Sequence, residues 1–247
     1  MKIVKLSSAQ FDKYASTHKY RNYYQTSQYA NIMVKFGYNA QFLGFADDND
    51  KVIGATLIIY KNVFMSNKIA YAPHGILFDY EDTENVKEMT KALKKTLGKQ
   101  GFMLVRIDPY IPLTIRDNEG NIMNFNNKGN QIIENLTKSG FKYKGKNLFF
   151  ETEKPRWEAL VLLQRDIREI FNKVDKRTRN KLRRATNSGV IIVKDEEKNI
   201  NDLYRFVSKK EKKPLSYFKA VYQSFEPMVD IYYAKINTET FVINSRR

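Results

Sequence analysis

The spacing of apolar residues predicts a mixed α/β unit at the start of the chain. Residues 1–6 alternate as a short strand and lead into a capped helix. A second helix is predicted within residues 24–38, with Thr26 or Ser27 as N-cap and Gly37 as C-cap. Its apolar face recurs with helical period at Tyr29, Ile32, Met33 and Phe36.

The following pattern predicts four more strands and two more helices. Apolar runs at 40–45 and 51–63 flank the polar turn 47–50 and indicate a hairpin. A helix with one apolar face and a stop at Gln100–Gly101 precedes a strand at 102–108; its face is Val86, Met89, Leu93 and Leu97. A short helix ending at Gly140 carries Ile132, Ile133 and Leu136, and a strand is expected from Phe141 to Phe150.

A second unit is predicted after Pro155, which divides the chain into domains 1–153 and 154–247. It opens with a strand at 157–163 and one helix from about 166 to 188, stopped by Gly189. From there the order strand, helix, helix, strand of the amino terminus recurs at an offset of 189 residues. The pattern indicates a duplicated α/β domain whose second copy is incomplete.

The composition of the chain favours some kinds of partner and disfavours several kinds of catalytic and metal site. The 43 Lys and Arg residues against 27 Asp and Glu give a net charge of +16, which favours a polyanionic partner. There is no cysteine and there are only two histidines, His18 and His74, so disulfides, thiolate catalysis, sulfur-based zinc sites and a His-rich metal site are disfavoured. No signal peptide is recognised at the amino terminus. The longest apolar run, 52–60, is well short of the roughly 20 residues that span a bilayer. A soluble or peripheral protein is expected.

The strongest charge cluster lies within the predicted helix at 166–188. Its like charges repel one another at helical spacing, and a phosphate-rich partner would remove that repulsion. The ordinary alternative is a solvated helix face. The cluster sets seven cations against Asp175: Lys173, Lys176, Arg177, Arg179, Lys181, Arg183 and Arg184.

The strand end at 105–110 is a second candidate site. Arg106 and Asp108 point to the same side of the strand, and Pro109 ends the ladder, leaving Asp108 and Tyr110 at the carboxyl edge of the sheet. Substrates often bind at that edge. An Arg–Asp cross-strand pair or an Asp-Pro turn explains the same residues without a ligand.

Two further segments have both a structural and a functional interpretation. In 71–80 Pro73 and Gly75 bend the chain, and His74 is interpreted as a surface or hydrogen-bonded histidine rather than a catalyst. In 209–218 four lysines precede Tyr217, which fits either a solvated loop or an anion clamp.

Five segments taken in order resemble the Fem family of non-ribosomal peptidyltransferases. They are residues 24–38, 71–82, 105–112, 154–163 and 178–190. They correspond to a Gln before an aromatic-led helix, an aromatic–Pro–x–Gly turn leading to an Asp, an apolar strand ending Asp-Pro, an apolar strand, and a Thr-Arg-containing basic helix ending Gly-Val. No single motif is specific, but the order and spacing of all five are.

The resemblance implies tandem GNAT-like acyltransferase domains and a cytoplasmic enzyme, with the inner membrane face as an alternative location. It also implies transfer of a Gly-, Ala- or Ser-type residue from aminoacyl-tRNA. The acceptor would be the stem-peptide lysine, or the growing bridge, of lipid II or UDP-MurNAc-pentapeptide. An amine attacking an activated ester needs orientation, removal of one proton and support for an oxyanion, so no cofactor or metal is required.

The resemblance also assigns roles to residues. Asp108 would bind or deprotonate the attacking amine, and Tyr110 beside it would position the stem peptide. The family's precursor-binding Lys falls on Met33, with Lys35 as the nearest substitute, and its Arg-x-x-x-Tyr pair becomes Lys213 and Tyr217. Lysine neutralises phosphate but cannot fork to two oxygens as arginine does. The seven-cation cluster would face tRNA or an anionic membrane.

Two other classes of protein compete with this interpretation. An acetyl-CoA-dependent GNAT enzyme would need a Gly-rich pyrophosphate turn, for which 126–131 is a loose candidate. A non-catalytic nucleic-acid-binding protein would explain the charge but not the Asp-Pro strand edge. A third possibility is a catalytically inactive chain that ends within the second domain, which would leave a sheet edge and apolar surface exposed and favour association or instability.

Overall fold

The computed structural model describes residues 1–63, 67–117, 119–123, 128–145, 158–159, 166–194, 199–209, 212–226 and 228–236, and the backbone of 239–246. The chain divides into two compact units, Met1–Lys144 and Gly145–Arg247. Among the described residues, no helix combines the length and the apolar character needed to cross a bilayer.

Unit 1 contains five strands and four helices in its described part. They are β1 Lys2–Lys5, α1 Ser8–Thr17, α2 Ser27–Lys35, β2 Asn39–Ala46, β3 Val52–Asn62, β4 Lys68–Ala72, α3 Thr83–Lys99, β5 Phe102–Ile107 and α4 Lys128–Lys138. The strands form one sheet in the order β1-β2-β3-β4-β5. All neighbours are antiparallel except β4 and β5, which are parallel because α3 carries the chain back across the sheet.

The helices begin where a polar side chain can accept hydrogen bonds from the first free N–H groups. Ser7 and Gln10 form a capping box on α1, Thr26 accepts from the Tyr29 N–H at the start of α2, and Asp82 accepts from the Asn85 N–H at the start of α3. Gly37 and Gly101 follow α2 and α3 with positive φ, as the helix-stop signals predict.

The core of unit 1 lies between the sheet and α3. All four apolar positions predicted for α3 are buried, and they join Phe45, Ile58 and Phe78, each at most 1% exposed. Periodicity therefore predicts this part of the fold correctly.

Unit 2 contains three strands and four helices in its described part. They are α5 Ile167–Lys173, α6 Lys176–Asn187, β6 Ile191–Lys194, α7 Ile200–Val207, α8 Leu215–Phe225, β7 Val229–Ile236 and β8 Glu239–Arg246. The strands form an antiparallel sheet in the order β6-β7-β8. Its core is small: Ile200, Leu203, Ile231 and Tyr233 are buried together.

The internal repeat is confirmed by strand register. In unit 1 Ile3 lies opposite Phe45, and 189 residues later Ile192 lies opposite Ala234. The other pairs of β1–β2 and β6–β7 keep the same offset, and two helices separate the strands in both units. The α/β class is therefore confirmed, and the described sheet of the second unit is three strands wide where the first has five.

The prediction of one helix over about 166–188 is wrong, since two helices occupy this range. Val174 and Asp175 have extended backbone between α5 and α6, and the Asp175 carboxylate accepts from the Thr178 N–H. This hydrogen bond is an N-cap, so a polar residue inside the charged run starts a new helix.

Other strand predictions differ from the structure or fall on residues that it does not describe. Residues 141–145 do not form the expected strand, and Phe141 instead packs against the core of unit 1. The pattern did not predict β4, which precedes the Pro73–Gly75 bend. The expected strand 157–163 and the boundary at Pro155 lie almost wholly outside the described residues.

Candidate functional site

Two loops meet at one edge of the unit 1 sheet because β4 and β5 are parallel. Ala72 and Ile107 are partners in the ladder, so Pro73 and Asp108 leave the sheet side by side. The carboxyl edge of parallel strands is a common place for substrates.

Asp108 is held at this edge by two donors from the neighbouring strand and loop. The Tyr71 hydroxyl donates to Oδ2 at 2.6 Å, and the His74 backbone N–H donates to Oδ1 at 2.6 Å. Each carboxylate oxygen accepts one of these hydrogen bonds, so the two donors orient the group. The carboxylate is only partly buried.

Tyr71 links two of the predicted site residues. It lies opposite Arg106 in the ladder, and the Arg106 guanidinium is 5.6 Å from the centre of its ring. Burial, and then the hydrogen bond to Asp108, raises the pKa of the Tyr71 hydroxyl well above its ordinary value. The phenol therefore stays protonated and keeps donating to Asp108 at neutral pH.

Aromatic rings belong to several residues next to Asp108 in these two loops. The His74 ring stacks on Tyr24 with centroids 4.8 Å apart, and it also meets the Tyr110 ring edge to face at 5.2 Å. Tyr110 is 37% exposed, so its ring borders solvent at the site. Such a group of rings beside a carboxylate suits an organic cation, which both the negative charge and the ring faces attract.

The structure thus brings together Arg106, Asp108 and Tyr110, as the sequence pattern predicts. It adds Tyr71, His74 and Tyr24, which sequence reasoning missed as site residues. The available signal was the pair of loops following neighbouring parallel strands, but β4 was not predicted. The resemblance to the Fem family had marked residues 71–82 without assigning a role to Tyr71 or His74.

Lys35 is not part of this group. It lies exposed in the last turn of α2, whereas Tyr24 precedes the first turn, and nine helical residues rise about 13 Å. Its proposed contact with the precursor remains a prediction.

Lys213 and Tyr217 lie together in unit 2, at the start of α8. The Lys213 Nζ is 4.4 Å from the centre of the Tyr217 ring. Lys213 precedes α8 and Tyr217 lies in its first turn, where the helix dipole favours an anion.

The seven-cation cluster divides into two groups. Arg179 is half-buried, and its Nη1 donates to the carbonyls of Asn172 at 3.0 Å and Val174 at 2.9 Å. It therefore caps the end of α5. The other six side chains are exposed: Lys173, Lys176, Arg177, Lys181, Arg183 and Arg184. We call these six the cationic face.

Comparison with known proteins places these features in a family context. The FemAB family model matches residues 6–245. Aminoacyltransferase FemA of Staphylococcus aureus strain MW2, like that of strain COL, is 27% identical over 146 residues, which are 59% of this chain and 34% of FemA. The chain thus spans about a third of the length of these relatives.

The fold is similar to that of a solved structure. The crystal structure of FemX superposes with a TM-score of 0.75 at 18% identity, covering 96% of this chain and 58% of FemX. At this level of identity the similarity concerns the fold alone.

Proposed function

Because this chain belongs to the FemAB family, whose model matches residues 6–245, we propose that it acts in aminoacyl transfer during synthesis of the peptidoglycan bridge. The donor is the α-ester of a Gly-, Ala- or Ser-type aminoacyl-tRNA. The acceptor is the stem-peptide lysine, or the terminal amine of the growing bridge, of lipid II or UDP-MurNAc-pentapeptide. The observation that supports this most strongly is the oriented Asp108 carboxylate at the edge of β4 and β5.

The reaction joins an amine to an ester carbon. The acceptor ammonium loses one proton and its nitrogen attacks the ester carbonyl. The tetrahedral intermediate then loses a second N–H proton and expels the ribose oxygen, which takes up one proton. An amide bond forms and the ester bond breaks, with no change of oxidation state. The enzyme must orient the amine and remove its proton.

Asp108 has the geometry for both tasks. Its carboxylate attracts the acceptor ammonium, and the bonds from Tyr71 and His74 fix the direction of approach. Once the ammonium is bound, the same carboxylate is within reach of the proton that must leave. Tyr110, exposed at the edge of the site, is proposed to contact the stem peptide.

Unit 2 is proposed to hold the anionic parts of the substrates. Lys213 and Tyr217 would bind the diphosphate and sugar of the precursor, with Lys35 as a further cation in unit 1. The cationic face would contact the tRNA backbone, or the anionic surface of a membrane that carries lipid II.

The cationic face can be tested by salt dependence. Arg183→Gln and Arg184→Gln should each weaken tRNA binding and reduce the slope of log affinity against log salt by roughly 0.7–0.9. Lys99→Gln, an equally exposed cation at the end of α3, serves as the control. Binding to anionic vesicles but not to tRNA would assign the face to the membrane instead.

The decisive experiment is transfer of radiolabelled glycine, alanine or serine from charged tRNA to lipid II or UDP-MurNAc-pentapeptide. Product that survives alkaline hydrolysis of esters is expected, because an amide has formed. Acetylation of the same acceptor from acetyl-CoA would replace the proposal with an acetyltransferase. No transfer by folded protein with any donor and acceptor would contradict it for this chain.

A further inference from the structure

Strands β3 and β4 pair over only part of their length. The ladder joins Ile59 to Tyr71 and continues to Asn62 and Lys68. On the other side, β3 meets the returning chain again at Ala55, which bridges to Leu77. Between these two points the chain bends away from β3 at the Pro73–Gly75 segment.

The side chain of Gln25 occupies the space between β3 and this segment. Its Oε1 accepts from the Leu57 N–H at 2.8 Å, and its Nε2 donates to the Leu57 carbonyl at 3.3 Å and the Pro73 carbonyl at 2.8 Å. Gln25 is only 1% exposed. One buried amide thus supplies the hydrogen bonds that a continuous strand would make here.

Gly75 shows how closely the segment packs on this amide. A Cβ atom at Gly75 would lie 2.7 Å from the Gln25 Nε2 and 3.0 Å from the Thr56 Oγ1. The first distance is shorter than a Cβ contact tolerates and the second is unusually tight, so a residue larger than glycine would displace the amide or the loop.

The segment held by Gln25 carries a donor of the candidate site. Pro73 precedes His74, whose backbone N–H donates to Asp108. The His74 carbonyl accepts from the Asn22 side chain at 3.1 Å, and the His74 ring stacks on Tyr24, the residue before Gln25. The connection between α1 and α2 therefore holds the loop through backbone and ring contacts.

We infer that Gln25 is a positioning residue of the transfer site: its buried amide holds the Pro73–Gly75 segment so that the His74 N–H orients the Asp108 carboxylate. Gln25 acts through this backbone and does not touch substrate. The inference rests on the proposed function for its catalytic consequence. Its structural part, the dependence of His74 on Gln25, stands by itself.

The structural part is tested by NMR of the histidine rings. The chain has two histidines, so a selectively labelled sample gives two ring signals, with His18 as internal control. Gln25→Met keeps the side-chain volume but removes the amide, and should shift the His74 signal as its stacking on Tyr24 changes. Asn135→Leu is the matched control, since Asn135 is a buried amide that donates to Tyr80 and Glu81.

The catalytic part is tested by kinetics of transfer. Gln25→Met should lower kcat/KM by about 10- to 100-fold, mainly in kcat, because the amine is misplaced at the ester. The KM for aminoacyl-tRNA should change less than about twofold, since the donor is bound elsewhere in the proposal. Asp108→Asn should lower kcat/KM by a much smaller factor in the Gln25→Met variant than in the wild type, because Gln25 and Asp108 act as one unit.

Gly75→Ala provides an independent route to the same result, because it displaces the amide without removing it. It should shift the His74 signal and lower kcat, and it should add little in the Gln25→Met background. An unmoved His74 signal in both variants would overturn the inference. Transfer rates of Gln25→Met and Gly75→Ala within twofold of wild type would also overturn it, as would an equal loss of transfer rate in Asn135→Leu. If the wild type transfers nothing, the proposed function fails, while the His74 signals still decide whether Gln25 holds the loop.

Discussion

The two units share a backbone plan but carry different chemistry on it. The strands β1 and β2 pair in the same register as β6 and β7, 189 residues later. In unit 1, Tyr24 and Gln25 precede the helix α2 and hold the loop beside Asp108. At the same offset in unit 2, Lys213 and Pro214 precede α8, and Lys213 lies over an aromatic ring. Candidate site residues thus occupy the same place in both copies.

The two units differ in the strands that could carry a site like that of Asp108. The Asp108 site needs β4 and β5, whose parallel pairing brings two loops together. The described part of unit 2 has no strands at these positions, and it offers lysine, tyrosine and the cationic face instead. The repeat therefore provides a scaffold, on which we propose amine chemistry in unit 1 and anion binding by Lys213 and the cationic face in unit 2.

The largest expected effect is on catalysis in unit 1. Asp108→Asn removes the charge and places an amide where one oxygen now accepts a hydrogen bond, so kcat/KM should fall by roughly 10²- to 10⁴-fold. Lys213→Gln should instead raise the KM for the precursor and leave kcat near wild type. Steady-state transfer kinetics measure both, with Glu84→Gln on the exposed face of α3 as control. An equal loss of kcat in Lys213→Gln would break the division between the units.

The next effect tests whether both copies have a packed core. Ile58 in β3 and Ile231 in β7 are each 1% exposed, so Ile58→Ala and Ile231→Ala should each lower the free energy of unfolding by about 2–5 kcal/mol. Ile191→Ala, at a position 58% exposed, should change it by less than about 0.5 kcal/mol. Urea denaturation measures all three. An Ile231→Ala effect as small as that of Ile191→Ala would mean that only the backbone is repeated, without a core.

The sequence predicts those parts of the fold that depend on residues close together along the chain. Local patterns predict α3, because its burial repeats every three or four residues, and they place Asp108 at a strand end. They miss β4, a five-residue strand that merges with the Pro73–Gly75 bend. They also merge α5 and α6, because Val174 falls on the apolar stripe and hides the break capped by Asp175.

The contacts of the site are beyond local patterns. Tyr71 and Asp108 are 37 residues apart in sequence, and Gln25 and Pro73 are 48 apart. Only the tertiary fold brings these pairs together, and no periodicity signals them. The family resemblance marks the segments that contain Gln25 and His74, but it does not show that one holds the other.

A smaller effect concerns alkaline pH and unit 1. Burial is the main cause of a raised pKa at three tyrosines of unit 1, Tyr14, Tyr71 and Tyr80, and it raises the pKa of Tyr14 to about 12. Above about pH 10 the unfolded chain loses these protons while the folded chain keeps them, so stability falls as pH rises. For Tyr14 the fall ends near pH 12.

Urea midpoints between pH 8 and 11 measure this loss, which is at most about 1.4 kcal/mol per pH unit for each tyrosine. Tyr14→Phe should make the urea midpoint change less with pH. A pH dependence that persists in full in Tyr14→Phe would contradict this prediction.

The smallest effect separates stability from binding within unit 2 itself. Arg179→Gln removes the guanidinium that caps the carbonyls of Asn172 and Val174, so it should lower the free energy of unfolding by about 1 kcal/mol. Arg183→Gln removes an exposed cation four residues later and should leave stability nearly unchanged. In tRNA binding the order reverses: Arg183→Gln should reduce the salt slope and Arg179→Gln should not, because Arg179 is already engaged by the backbone. Equal slopes in the two variants would mean that Arg179 belongs to the cationic face after all, and that the junction of α5 and α6 is held by the Asp175 cap alone.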